Sequence, residues 1–152
     1  MDRHDSQQFS EPDIKLAGFC LWVHGRQFEE AQDYWDGNWL RVTAHYGAGH
    51  SQVWAQGSIL HLSELAIWFS ELEKLHRIVE GSARLRCIEP NLRVEIKLGR
   101  TGSGEARFEI TPEYTKEGHW FLEKVDQSYF PDLIRDFRRL LEQYPVRGKP
   151  KG

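Results

Sequence analysis

The chain has two cysteines, Cys20 and Cys87, and a single methionine. Two thiols cannot build a disulfide framework, nor can they complete a tetrahedral zinc site without other ligands. They read as buried free thiols, because unpaired cysteine packs as a small apolar side chain. No apolar run approaches the roughly 20 residues that a membrane span needs. The first thirteen residues are polar and lack the apolar core of a secretory signal. A cytoplasmic location, without membrane attachment, is the resulting expectation. An excess of basic charge is missing too: 20 Lys and Arg stand against 23 Asp and Glu, for a net charge of −3. Since Arg147, Lys149 and Lys151 follow Pro145 with no acid among them, the rest of the chain carries about −6. That sign argues against a nucleic-acid binder, whose surface must displace counterions from phosphates. It suits a basic protein partner, drawn in by electrostatic steering.

What the chain has in quantity is aromatic area: six Trp, eight Phe and five Tyr in 152 residues, enough for the core of one α+β domain. The expected organisation is a flexible segment over 1–13, a domain over 14–145 and a disordered basic tail over 146–152. Residues 14–24 read as a first strand and 38–46 as a second, with Leu40, Val42, Ala44 and Tyr46 alternating against Arg41, Thr43 and His45. After the Gly47-Ala48-Gly49 turn, 52–60 returns as a hairpin partner. Ser63 is the expected N-cap of a helix whose stripe is Leu65, Trp68, Phe69, Leu72, Leu75 and Val79, ended by Gly81. Strands follow at 83–88 and 92–98 around Glu89-Pro90-Asn91, with Arg86 expected opposite Glu95, then at 105–111 and 119–125. A closing helix starts near Ser128, with Pro131 in its first turn and Phe130, Leu133, Ile134, Phe137, Leu140, Leu141 and Tyr144 as its stripe. Because the strands follow one another locally, the expected fold class is α+β, with a mostly antiparallel sheet of about six to seven strands and two amphipathic helices.

Chemistry is harder to find. His45 and His50 flank one turn, but two imidazoles do not finish a zinc site, and no His-Glu-x-x-His or Cys-x-x-Cys run supplies the rest. Cys20 and Cys87 lie in apolar strands, where a thiol lacks the electropositive setting that makes it a nucleophile. Glu89, before a proline, is the carboxylate expected to be held most rigidly. The run from Gly99 to Gly104 lacks the Lys-Ser/Thr of a phosphate loop and reads as a hairpin tip. No catalytic residue, metal or cofactor is therefore expected. The segment that stands out is Glu29, Glu30, Asp33, Tyr34, Trp35 and Asp36: four carboxylates around two aromatic side chains, with no basic residue between them. Tyr and Trp anchor interfaces and carboxylates steer basic partners, so these six are the candidate partner-binding residues. A plain solvated face remains the alternative there.

Two strings carry a family resemblance: Asp33-Tyr-Trp-Asp-Gly-Asn-Trp-Leu40 and Leu85-Arg-Cys-Ile-Glu-Pro-Asn-Leu92, either side of a helix rich in Leu, Trp and Glu. Over roughly 14–145 the chain resembles the WapI-like immunity proteins. That resemblance implies a small bacterial cytosolic protein that neutralises the toxic C-terminal domain of a secreted or contact-delivered toxin, a nuclease in the named case, by binding rather than catalysis. Two other classes stay open: a small-ligand or structural domain, and a hydrolase using an acid–base pair drawn from Glu89, His119 and strand carboxylates. Oligomeric state cannot be read from the pattern.

Overall fold

In the computed structural model, which describes residues 10–151, the first apolar run folds back on itself. Ala17 takes a left-handed conformation (φ 52°), and a Cβ on Gly18 would lie 2.4 Å from the Gly47 carbonyl oxygen. The expected strand over 14–24 is consequently a tight hairpin of β1 (Ile14–Leu16) and β2 (Phe19–Arg26), with Leu16 opposite Phe19. β3 (Trp39–Ala48) and β4 (Ser51–His61) complete an antiparallel sheet in the order β1-β2-β3-β4. Helix α1 (Leu62–Ile78) then carries the chain to a second antiparallel sheet of β5 (Gly81–Arg86), β6 (Leu92–Leu98), β7 (Ser103–Ile110) and β8 (Trp120–Asp126), in sequence order. Helix α2 (Phe130–Gln143) closes the chain.

The fold class is thus α+β, but the expected sheet of six to seven strands is two sheets of four. Local pairing is visible in a sequence; whether the strands before a helix join those after it is not. Alternation supplies the physical reason for two layers. In β6, Leu92, Val94, Ile96 and Leu98 are buried while Arg93 and Lys97 are exposed, so the sheet has one apolar face that needs a cover. The cover comes partly from the first sheet: Phe19 stacks on Phe108 at 5.4 Å, Tyr46 on Phe121 at 4.3 Å, and the Tyr46 hydroxyl donates to Glu123 Oε1 at 2.6 Å. The helices supply the rest. Trp68 of α1 meets Phe137 of α2 edge-on at 5.0 Å, both fully buried, and each such side chain contributes about 1.5–3 kcal/mol by leaving water.

Two local expectations shift. The N-cap of α1 is His61, not Ser63: its Nδ1 accepts from the Ser63 N–H at 3.3 Å, and Glu64 Oε1 accepts from the His61 N–H at 2.8 Å. This is the reciprocal logic of a capping box with an imidazole as acceptor. The helix ends on Val79 in a left-handed conformation (φ 67°), two residues before Gly81. Across the β5–β6 hairpin, Arg84 rather than Arg86 lies opposite Glu95, with which it forms an ion pair, and Arg86 faces Arg93. The five residues between these strands make a longer loop than a tight turn at Pro90 would. Of the run from Gly99 to Gly104, residues 99–102 make the β6–β7 turn, closed by Gly102 N–H to the Gly99 carbonyl at 2.9 Å, and Ser103 and Gly104 already belong to β7. No helix among the described residues is long and apolar enough to cross a membrane.

Candidate functional site

Between β2 and β3 the chain leaves the first sheet for a loop that holds all six candidate residues, and its shape is set from below by one side chain. Asn38 is fully buried. Its amide donates to the carbonyls of Tyr34 (2.6 Å) and Arg147 (2.9 Å), and its Oδ1 accepts from the Arg147 N–H (2.8 Å) and from Arg26 Nη1 (3.2 Å). Such use of both ends of an amide ties two chain segments that are far apart in sequence. Arg26, only 5% exposed, also donates to the carbonyls of Gly37 and Pro145, each at 2.6 Å, and its guanidinium lies over the Tyr144 ring at 6.0 Å. Burial, then the neighbouring Arg147, lowers the Arg26 pKa from its ordinary value.

A second support comes from the start of α1. The His61 ring stacks on Trp35 at 5.2 Å, meets Trp39 edge-on at 5.0 Å and tilts against Tyr34 at 5.5 Å, while Nε2 lies 3.0 Å from the Trp35 carbonyl oxygen. Trp35 itself is 49% exposed, so one part of the indole is fixed and the other faces solvent. The Asp33 carboxylate accepts from the Asp36 N–H at 2.9 Å and closes the loop's last turn.

Glu29, Glu30, Asp33 and Asp36 are exposed, Trp35 stands among them, and Tyr34 is half-buried beneath. None of the four carboxylates forms an ion pair among the described residues. Arg147 does reach this loop, but its Nη1 donates to the carbonyls of Glu29 and Ala31, each at 2.8 Å, rather than to a carboxylate. The start of the tail expected to be disordered is therefore part of the loop's foundation. Gly148 continues the contact, where a Cβ would fall 2.8 Å from the Tyr34 nitrogen. Of the segment expected to be flexible, Met1 to Phe9 lie outside the described residues. Its end is held: Trp22 Nε1 donates to the Ser10 carbonyl and Asp13 Oδ2 accepts from the Val23 N–H, both at 2.7 Å.

The other candidates disperse. The carboxylate held in the interior is Glu64, not Glu89: besides His61, it accepts from the Ile88 N–H at 2.7 Å. Burial raises its pKa above the ordinary value, with those two N–H bonds acting the other way. Cys87 is buried as expected, whereas Cys20 is only half-buried; burial, and then Glu64, push the Cys87 thiol far up, and burial also raises Cys20. His45 lies against Trp54 at 4.0 Å and bonds Gln52, and His119 lies 3.4 Å from Glu117. No group of three or more His, Cys, Asp or Glu able to hold a metal exists among the described residues. The concavities are open: one of about 440 Å³ lies on the outer face of the second sheet among Arg84, Arg86, Arg93 and Arg107, and one of about 510 Å³ lies between His50 and His119.

The residues that sequence reasoning missed are the framework: Arg26, His61, Glu64 and Arg147, with Asn38 seen only as part of a string. His61-x-x-Glu64 does have capping-box spacing, and was legible to anyone admitting histidine as a cap. Nothing in the spacing of Arg26 or Arg147 announces a shared site. With this geometry in place, the comparisons add one finding: the model of the Immunity protein WapI-like family matches residues 11–145. No curated protein and no solved structure matches the chain.

Proposed function

The chain belongs to the WapI-like immunity protein family, and from that premise we propose that it is a non-enzymatic, cytoplasmic binding protein that neutralises a basic, nuclease-type toxin domain through the loop from Glu29 to Asp36. The observation that carries the loop assignment is the combination of an exposed acidic rim with a rigid base. Four carboxylates and half of Trp35 face solvent. Beneath them, Asn38, Arg26 and His61 hold the backbone. A pre-formed surface loses little conformational entropy on binding, so more of its contact energy appears as affinity. Its chemistry fits a phosphate-handling enzyme, whose own surface is positive because it must attract a polyanion. The carboxylates supply steering, and Trp35 supplies the anchor.

The test replaces Glu29, Glu30 and Asp36 with the matching amides, leaving Asp33 because it closes the turn. Association with a basic, nuclease-type toxin C-terminal domain is followed by stopped-flow fluorescence. The expected result is an association rate lower by about tenfold at low ionic strength, converging with the parent as salt rises, since exposed charges act only within a Debye length of about 8–10 Å. An unchanged rate at low salt would overturn the loop assignment. A toxin that never binds the parent chain would overturn the toxin itself as partner.

A further inference from the structure

The second sheet has two edges, and the chain treats them differently. The β5 edge is covered by α1, whose Glu71 accepts the Arg84 N–H at 2.8 Å. Among the described residues β8 pairs with β7 alone. The bond from Ile110 N–H to the His119 carbonyl, and the one from Gln127 N–H to Gly102, set the alternation along this strand. Odd-numbered residues turn their backbone groups toward β7, so Trp120, Leu122 and Lys124 turn their N–H and C=O groups away from it. The side chains of those same three residues lie on the outer face, where Trp120 is 56% and Leu122 51% exposed. The strand has seven residues, no proline, no glycine and no register shift against β7. Natural sheets commonly blunt such an edge with a proline, a bulge or charges, because it is a template for another strand; β8 lacks the first two and carries Glu123, Lys124 and Asp126.

We propose that β8 pairs antiparallel with β8 of a second copy of this chain, about a two-fold axis at Leu122, joining two four-stranded sheets into one of eight. The strand is complementary to itself in this register. Leu122 meets its own mate. Trp120 meets Lys124 of the other copy, which sets a cation beside an exposed indole. About six backbone hydrogen bonds close the seam. A shift of the axis to residue 123 would set Glu123 against its own mate, a like-charge pair. A shift to 121 would leave Lys124 facing Gly118, outside the strand. A closed two-fold uses up both copies' edges, so the association stops at a dimer.

This pairing is independent of the toxin proposal, since the acidic loop joins β2 and β3 of the other sheet. A single strand seam is small beside a standard interface, so the dimer should be weak, with dissociation on the order of tens to hundreds of micromolar. Sedimentation velocity on the full chain from about 10 µM to about 1 mM should show the average mass rising from that of one chain toward that of two. Over the same range, amide exchange at Trp120, Leu122 and Lys124 should slow while the β5 amides stay unchanged. Leu122→Lys should abolish the rise without moving the thermal midpoint, because the side chain is exposed; Trp120→Thr gives a second, independent disruption. A chain that stays monomeric throughout, or a dimer that survives both substitutions, would overturn the proposal. So would slowing confined to another edge.

Discussion

Replacing Asn38 by alanine tests whether the acidic loop is held or merely present. The substitution removes four hydrogen bonds at a site with no solvent exposure. Their separate values do not simply add. The Tyr34 and Arg147 groups are only half-buried and can take water once the amide is gone, whereas Arg26 keeps its bonds to Gly37 and Pro145. At about 0.5–1.5 kcal/mol for each bond lost, with one buried partner left short, the net loss comes to about 3 kcal/mol. In a chain of this length that lowers the thermal midpoint by roughly 10 °C. Urea denaturation followed by tryptophan fluorescence measures the loss directly, and the m-value should stay unchanged because the surface exposed on unfolding is the same. Amide exchange at Asp36 and Gly37 should quicken well beyond what the global loss explains, since the loop loses its anchor before the sheets do. A loss under about 1 kcal/mol, with loop exchange unchanged, would refute the reasoning. The loop would then be shaped by its own turns, and Asn38 would be a passenger.

Two further predictions concern the interior. Glu64 has a folded-state pKa raised above the ordinary 4.5 by burial, so the folded chain holds this proton more tightly than the unfolded one. The associated stability is fully present below about pH 4.5 and is lost as the pH climbs through the folded value. Glu64→Gln should remove that slope from a series of urea midpoints, at a pH-independent loss of about 1–3 kcal/mol because one of two N–H donors loses its acceptor; a variant with the parent's slope would show that another group sets it. Trp68 is fully buried, and among the described residues its indole N–H has no hydrogen-bond partner. Trp68→Phe should therefore lose only about 1 kcal/mol, the smaller side chain being offset by removal of an unsatisfied donor, while Trp68→Ala should lose about 3–5 kcal/mol. A Trp68→Phe loss well above about 1 kcal/mol by chemical denaturation would mean that the N–H costs nothing where it sits.

Elements whose signal is local were legible in the sequence. The α1 stripe of Leu65, Trp68, Leu72 and Leu75 is buried as its spacing required, and so is the α2 stripe from Phe130 to Leu140. The β3–β4 hairpin, set by period-two alternation and a glycine-rich turn, was equally readable. What failed depended on one residue's backbone or on distant partners. An alanine at positive φ is rare enough that Ala17 gives no warning of a hairpin, and one hidden turn changes the strand count. The division into two sheets depends on ring contacts such as Phe19 with Phe108, which are 89 positions apart and leave no periodic trace. At the candidate site the exposed half was visible as a run of acids and aromatics. Its foundation was not, because Arg147 lies more than a hundred residues from the carbonyls it bonds.

That foundation also changes how the loop's charge should act. Counting charges along the chain treats the tail as separate from an acidic body, yet Arg147 bonds the Glu29 and Ala31 carbonyls of the acidic loop and Arg26 is buried close by. Both guanidiniums spend their donors on carbonyl oxygens, which leaves Glu29, Glu30 and Asp36 available to a partner, while Asp33 closes the turn. Their charge is still felt. It relieves repulsion among the four acids, which helps a compact loop persist, and it weakens the negative field at a distance. The rim is therefore best suited to short-range recognition: a partner cation that enters between the carboxylates meets them at close quarters, while one farther off than a Debye length meets a field largely cancelled by salt and by Arg147. On this account the carboxylates speed encounter by about tenfold only at low ionic strength, and selectivity rests on the fixed spacing of charge around the half-exposed indole of Trp35, which is the property that the Asn38 framework maintains.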